Sequence, residues 1–328
     1  MSIALLKLPK RAKSRILAAM SPDALFLLWL SAKRMRVTIN LEMIQADNCH
    51  WAFPLRFTDI PMSVTISMNR CTFWLSPYML IGRPLPLLTI LDGCYLMESD
   101  HQEMAPITHW VFKALDDAKM TRVAAFEAIS RRLIECFKPK TFTAHFHDID
   151  STPEGSVVLR CTKTLDKVTV VSRPWRPSFD LKQMQFVLGD TNAKEIEMFG
   201  VHENVCYRGP ITTRHLTTGG RWLKVHNVLQ MECRTLVVRE SRLSTNDYNT
   251  ILRVWCKGGL KDLEKLDFVN AVFASIDGIF HGFEGDPIVA KIRNDPKIKN
   301  VGFMIGRADG KVGEVFFDGT RFQFTVLQ

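Results

Sequence analysis

Three rhythms of apolar and polar residues follow one another along the chain. Between Leu8 and about residue 40 the spacing is helical. Leu8-Pro9 opens a first helix, because proline fits a first helical turn, where its missing N–H would have no partner. Ala12, Ile16, Ala19 and Met20 then share one face, with basic residues on the others. Ser21-Pro22-Asp23 ends that helix and starts a second, with Ser21 as N-cap and Pro22 in the first helical position. Ala24 to Leu30 is apolar all round, as in a helix buried on most sides, and Ser31 to about Val37 predicts a short basic third helix.

From residue 37 to 100 the rhythm shortens. "VTINLEMI", "PLRFTDI" and "SVTISM" carry β-branched residues in partial alternation and predict strands, whereas the two prolines of "GRPLPLLTI" predict a turn or an irregular connection. Thr121 to Phe137 returns to helical spacing, with Val123, Phe126, Ile129, Leu133, Ile134 and Phe137 in one stripe. Beyond it, "KTFTAHF", "DKVTVV", "KEIEMFG", "CRTLVV" and "LEKLDFV" are strand-like, with centres roughly 26 to 40 residues apart. Short strands alternating with crossovers predict parallel pairing, and the loose period predicts a curved, leucine-rich-repeat-like stack. Gly219-Gly220 reads as a loop before a helix beginning near Arg221.

The clearest local unit covers residues 241 to 269. Ser244 or Thr245 can cap a helix whose Tyr248, Ile251, Leu252 and Trp255 form a core-facing stripe; Gly258-Gly259 can end it in left-handed geometry, and "LEKLDFV" returns as a strand. Near the end, Asp309-Gly310 and Asp318-Gly319 each separate strand-like runs. Both pairs tolerate positive φ, so a three-stranded antiparallel meander is expected from about 301 to 327.

Composition narrows the partner classes. The 328 residues suffice for one large domain or two, and 46% apolar with 23% charged residues is the composition of a globular chain. The net charge is +9, yet no run of five or more Lys/Arg and no nucleic-acid motif occurs, so nucleic acid is not the expected partner. Charge concentrates instead in the first 36 residues, which hold eight Lys/Arg against one Asp and point to an acidic partner there. The eight cysteines include no CxxC pair and no Asn-x-Ser/Thr sequon occurs, as expected in a reducing compartment of the cytoplasm or nucleus. Ala24 to Leu30 is too short to span a bilayer.

Catalytic signatures are sparse. No P-loop, GxSxG, HExxH, kinase or dinucleotide fingerprint appears. "HFHDID" at 145 to 150 is the best metal candidate: His145 and His147 would share one side of a strand, with Asp148 on the other, which reads better as a strand end than as a zinc site. Cys49 and His50 are adjacent, and on a strand they would face opposite ways, unable to share a hydrogen bond. No cofactor, metal or catalytic role is expected.

The N-terminal stretch resembles an F-box. The likeness rests on Leu8-Pro9, Ile16-Leu17, Met20-Ser21-Pro22-Asp23, Leu25, Leu28, Ser31, Lys33 and Met35, in the order and spacing of that module. Lys10 and Arg11 stand where F-boxes often carry Glu, and Trp29 is unusually large for the second helix. The remainder resembles the F-box-associated domain of the large nematode F-box families, through "TLVVRESRLSTNDYNTILRVWCKGGLKDLEKLDF", "FMIGRADGKVGEVFF" and the closing Phe-x-Phe-x-Val.

The resemblance implies an α+β chain: a three-helix F-box over 1–40, then a mixed α/β, leucine-rich-repeat-like domain over 41–328 ending in the meander. It implies a non-enzymatic substrate adaptor whose F-box binds a Skp-type protein and, through it, a cullin, while the second domain presents a protein substrate. Leu8, Pro9, Ile16, Leu17, Met20, Leu25 and Leu28 are the candidates for adaptor contact and for the module's small core. Alternative expectations are an F-box scaffold acting outside any ligase, and a mitochondrial protein whose first 20 residues, free of acid, form a transit peptide.

Overall fold

The computed structural model describes residues 5, 7–20, 22–31, 39, 45–53, 63–68, 71–76, 88–91, 94–98, 107–114, 122–147, 153–171, 180–201, 204–270, 276–283, 290–294, 301–318 and 320–327. The chain is a mixed α/β protein that divides into two compact units, Met1–His147 with Thr152–Asp166, and Asp148–Ser151 with Lys167–Gln328. The expected boundary near residue 40 falls at 40–44, outside the described residues.

In the first unit, helices α1 (Lys10–Ala19) and α2 (Pro22–Ser31) precede strands β1 (Asn48–Phe53), β2 (Ser63–Met68), β3 (Cys71–Ser76), β4 (Leu88–Leu91), β5 (Cys94–Glu98) and β6 (Ile107–Ala114). Then come α3 (Arg122–Phe137), β7 (Thr141–His147) and α4 (Pro153–Cys161). The strand order is β7-β1-β2-β3-β6-β5-β4, with β1 parallel to β7 and antiparallel to β2. Proline did not keep "GRPLPLLTI" irregular throughout: Leu88–Leu91 pairs with β5, because both prolines lie upstream of the paired residues.

Alternation builds this unit's core. On β1, Cys49, Trp51 and Phe53 are buried while Asn48, His50 and Ala52 are half-buried. Trp51 stands opposite Ala144 of β7, a large residue over a small one, and its Nε1 donates to Ser130 Oγ of α3 at 3.2 Å. Phe53 stacks on Phe146 at 4.8 Å and meets Phe126 edge-on at 6.1 Å. The α3 stripe read from the sequence is the buried one at Phe126, Ile129, Leu133 and Phe137.

The second unit holds most of β8 (Leu165–Val171), α5 (Leu181–Gln185) running into a π-turn at Phe186–Asp190, β9 (Ala193–Phe199), β10 (His215–Gly219), α6 (Val225–Leu229) and β11 (Thr235–Arg239). After them come α7 (Thr245–Cys256), β12 (Lys265–Val269), α8 (Ile276–Phe280), β13 (Ala290–Asn294), β14 (Val301–Gly306), β15 (Val312–Phe317) and β16 (Arg321–Leu327). The order is β8-β9-β10-β11-β12-β16-β15-β14-β13. Strands β9 to β12 are parallel, as expected, and the meander β14-β15-β16 is antiparallel, with β13 as an additional outer strand.

The register explains why these strands stay in line. Ile196, Leu216, Leu236 and Leu266 form one buried column that continues through Phe324 and Val315. Met198, Thr218, Val238, Phe268 and Phe322 form the next. A slip of one residue would turn both columns to the opposite face. The columns advance in steps of 20, 20 and 30 residues, so the spacing of about 40 between "KEIEMFG" and "CRTLVV" is two steps with β10 between them. The helix expected near Arg221 starts at Val225.

One backbone position recurs after the strands. Gly200, Glu240 and Asn270 follow β9, β11 and β12 in equivalent register with φ of 83°, 58° and 54°. Glu240 holds left-handed geometry without being glycine, and its carboxylate accepts from Arg221 Nη2 at 3.2 Å. Two buried polar side chains in the connections are paired: Trp222 Nε1 donates to Thr218 Oγ1 at 2.9 Å, and Asn227 Nδ2 to the Tyr207 carbonyl at 2.7 Å.

Helix α7 follows its sequence closely. Ser244 is the N-cap and forms a capping box with Asp247, whose carboxylate accepts from Ser244 N at 2.7 Å. Tyr248, Ile251, Leu252 and Trp255 are buried, and Gly258 ends the helix at φ +89°. Ser244→Ala is expected to lower stability by about 1 kcal/mol, read as a shift in the urea midpoint at unchanged slope. An unchanged midpoint would show that the cap is redundant.

Candidate docking surface

Helix α1 carries Lys10, Arg11, Lys13 and Arg15, and its first turn holds no acidic residue. Pro9 supplies the N-cap position without a side-chain hydrogen bond. Cations in a first turn face the positive end of the helix dipole, an arrangement unfavourable by a few tenths of a kcal/mol per charge, roughly, that an anionic partner would relieve. The helix ends where Met20 N donates to Leu17 O at 3.3 Å.

The apolar face of α1 read from the sequence is not its buried one: Ala12 and Met20 on it are only half-buried. Leu17 is the buried residue, whereas Ile16 is 42% exposed and Ala19 is exposed. Ile16 and Leu17 lie about 100° apart on the helix, and the unit packs against the Leu17 side. Ile16 is therefore an open apolar side chain on a helix whose charged residues are all basic.

Helix α2 supplies the anchor. Leu25, Phe26 and Trp29 are buried. Phe26 stacks on Trp29 at 6.4 Å and reaches Phe137 of α3 at 6.3 Å, so the unusually large Trp29 fills a wall of aromatic packing. The seven predicted docking residues thus separate. Leu17 and Leu25 belong to the core, Pro9 and Ile16 are exposed, and Leu8, Met20 and Leu28 are half-buried. The N-cap expected at Ser21 and the third helix after Ser31 lie outside the described residues. Of "VTINLEMI" only Ile39 is described, and it is helical and buried, not in a strand.

The two chemical candidates have clear geometry as far as they are described. Cys49 and His50 face opposite sides of β1. Burial pushes the Cys49 thiol well above its ordinary value, with Cys161 adding to the effect, and burial lowers His50. The His50 ring nitrogen Nδ1 is 2.8 Å from Thr143 Oγ1. A thiol held protonated and a ring bound elsewhere do not form a nucleophile pair. His145 lies half-buried on β7, while the His147 side chain and residues 148–150 lie outside the described residues. Among the described residues no group of three or more His, Cys, Asp or Glu is placed to hold a metal ion, and no helix is long and apolar enough to cross a membrane.

Sequence reasoning missed a second open apolar site. Val312 and Leu327 stand opposite each other on β15 and β16 and are 37% and 39% exposed. The signal was present in the alternation of "VGEVFF" and "RFQFTVL", which turns Val315 and Phe324 inward and leaves Val312 and Leu327 on the other face. Compared with known proteins, the chain matches no family model, no curated protein and no solved structure.

Proposed function

We propose that the chain is the substrate-recognition subunit of a Skp-cullin-F-box ubiquitin ligase. In this reading α1 and α2 belong to an F-box that docks an acidic Skp-type adaptor, and the parallel strands β9 to β12 belong to a leucine-rich-repeat-like associated domain that presents a protein substrate. One observation carries the proposal: Ile16 is open to solvent on a helix whose charged residues are all basic, directly before an apolar helix anchored through Phe26. An exposed aliphatic side chain on a helix whose other faces are basic suits a partner with an apolar pocket and an acidic rim. The pocket would supply affinity and the charges would speed association.

The chain's contribution is positioning. Holding a substrate beside a charged conjugating enzyme raises the effective concentration of its lysines without any bond being made or broken by this chain.

Ile16→Asp tests the docking without disturbing the core, because the side chain is already exposed. Co-purification of a Skp-type adaptor is expected to fall by at least about tenfold, with an unchanged thermal midpoint. Leu8→Ala combined with Pro9→Ala is expected to do the same. Adaptor recovery equal to that of the unaltered chain in both variants would remove the proposal.

A further inference from the structure

Val312, Leu327 and Met304 border a cleft of about 800 Å³ in the second unit. Val312 and Leu327 are two of only four large apolar side chains exposed among the described residues, and they form a direct cross-strand pair. Strands β15 and β16 have neighbours on both sides, so the cleft offers no free strand edge. A partner there is recognised through side chains.

The charges around the cleft are unequal in their availability. Arg234 Nη1 lies 3.3 Å from Glu264 Oε1, and Arg307 grips both oxygens of Asp309, with Nε 2.8 Å from Oδ1. Lys261 and Lys311 form no ion pair among the described residues, although Lys311 is near enough to Asp309 to help hold its carboxyl down; the lining's other unpaired charge is the carboxylate of Asp262. The grip of Arg307 holds the Asp309 carboxyl down at about 2, so it stays ionised and occupied at neutral pH.

We propose that this cleft binds an extended segment of a partner protein in which an apolar residue is flanked by acidic ones. The apolar residue sits on Val312 and Leu327, and the acidic residues meet Lys261 and Lys311. The volume is that of a pocket taking a few side chains, and its lining combines the Val312–Leu327 pair with Lys261 and Lys311. Calling that segment the recognition element of a ubiquitination substrate rests on the adaptor reading; the cleft's preference for it does not.

The test uses the full chain without adaptor and three short fluorescent peptides: a central Leu flanked by Glu, a central Ser flanked by Glu, and a central Leu flanked by Lys. Fluorescence polarisation is expected to show binding of the first, weakened at least about tenfold in each of the others. Leu327→Ser should remove the preference for Leu over Ser. Lys261→Glu with Lys311→Glu should reverse the preference, so that the Lys-flanked peptide binds better, an outcome that misfolding cannot imitate. Equal binding of the three peptides, no binding of the first, or an unreversed preference in the double variant each overturns the proposal. So does concentration-dependent dimerisation abolished by Leu327→Ser, which would assign the cleft to a second copy. Ile16→Asp is expected to leave peptide binding unchanged, so failure of adaptor docking and failure of the cleft are read separately.

Discussion

Trp255→Ala is expected to lower the stability of the second unit by about 4 kcal/mol, within the range for deleting a large aromatic side chain from a core. Trp255 has no exposed surface and meets Phe324 edge-on at 4.8 Å, while the Arg307 guanidinium lies over its ring at 5.4 Å. Gly313 is part of the same contact: a Cβ there would come within 3.2 Å of the indole and collide with the Phe324 ring. The site is built to the dimensions of an indole, with backbone on one side and an aromatic ring on the other, so it cannot collapse cheaply around alanine. Arg307 would also lose the ring that covers it, adding to the loss. Chemical denaturation should show the effect as a lower midpoint, with Trp255→Phe recovering more than half of it. A loss under about 1 kcal/mol for the alanine variant would mean that the site relaxes and that the packing argument fails.

Arg321→Met is expected to cost about 3 kcal/mol, more than the reciprocal change at its partner. Arg321 donates from Nε to Asp267 Oδ1 at 2.7 Å and from Nη2 to Oδ2, joining β16 to β12. The two side chains are unequally placed: Asp267 is 6% exposed and Arg321 41%. Removing the guanidinium leaves the buried carboxylate with Lys265 as its one remaining ion-pair partner among the described residues, its Nζ 3.7 Å away. Asp267→Asn instead frees a guanidinium that turns to water, with a cost of about 1 kcal/mol. Urea titrations of the two variants should therefore give different midpoints. Equal losses would show that the pair is screened as a surface pair is.

What could be read from the sequence follows from how much each segment signals locally. Helix α7 was legible in full because its cap, its stripe and its terminating glycine lie within fifteen or so residues and reinforce one another. The meander was legible because Asp-Gly pairs punctuate alternating runs, and Gly310 has the left-handed φ of +88° that such a turn needs. Strand β10 was not. "HLTTG" has one aliphatic residue, Leu216, and ends in glycine, so its two β-branched threonines are a weak signal beside the neighbours that flank it on both sides. Missing it doubled one interval and disguised the repeat.

The docking surface was legible as a list and not as a geometry. The seven candidate residues are all apolar, and apolarity alone cannot separate Leu17, which is buried, from Ile16 beside it, which is open. That choice is made by the direction from which the rest of the unit approaches α1. The Val312–Leu327 patch had the reverse difficulty. Each residue is an unremarkable member of an alternating strand, and the patch exists only once the register places the two side by side.

The stepped columns also bear on how the chain finds its structure. Each parallel strand from β9 to β12 meets a neighbour only 20 or 30 residues away, so the loops to be closed are short and nearly equal in entropy. Partial rows can form and be extended one strand at a time, as in solenoids whose units contact only adjacent units. The exception is β16, which must come back to β12 across 58 residues, from Leu266 to Phe324. That single long-range closure brings in Phe322 and Phe324 to seal Tyr248 and Trp255, the two largest side chains of α7. The growing row is thus left with an uncovered aromatic end until the last strands of the chain arrive.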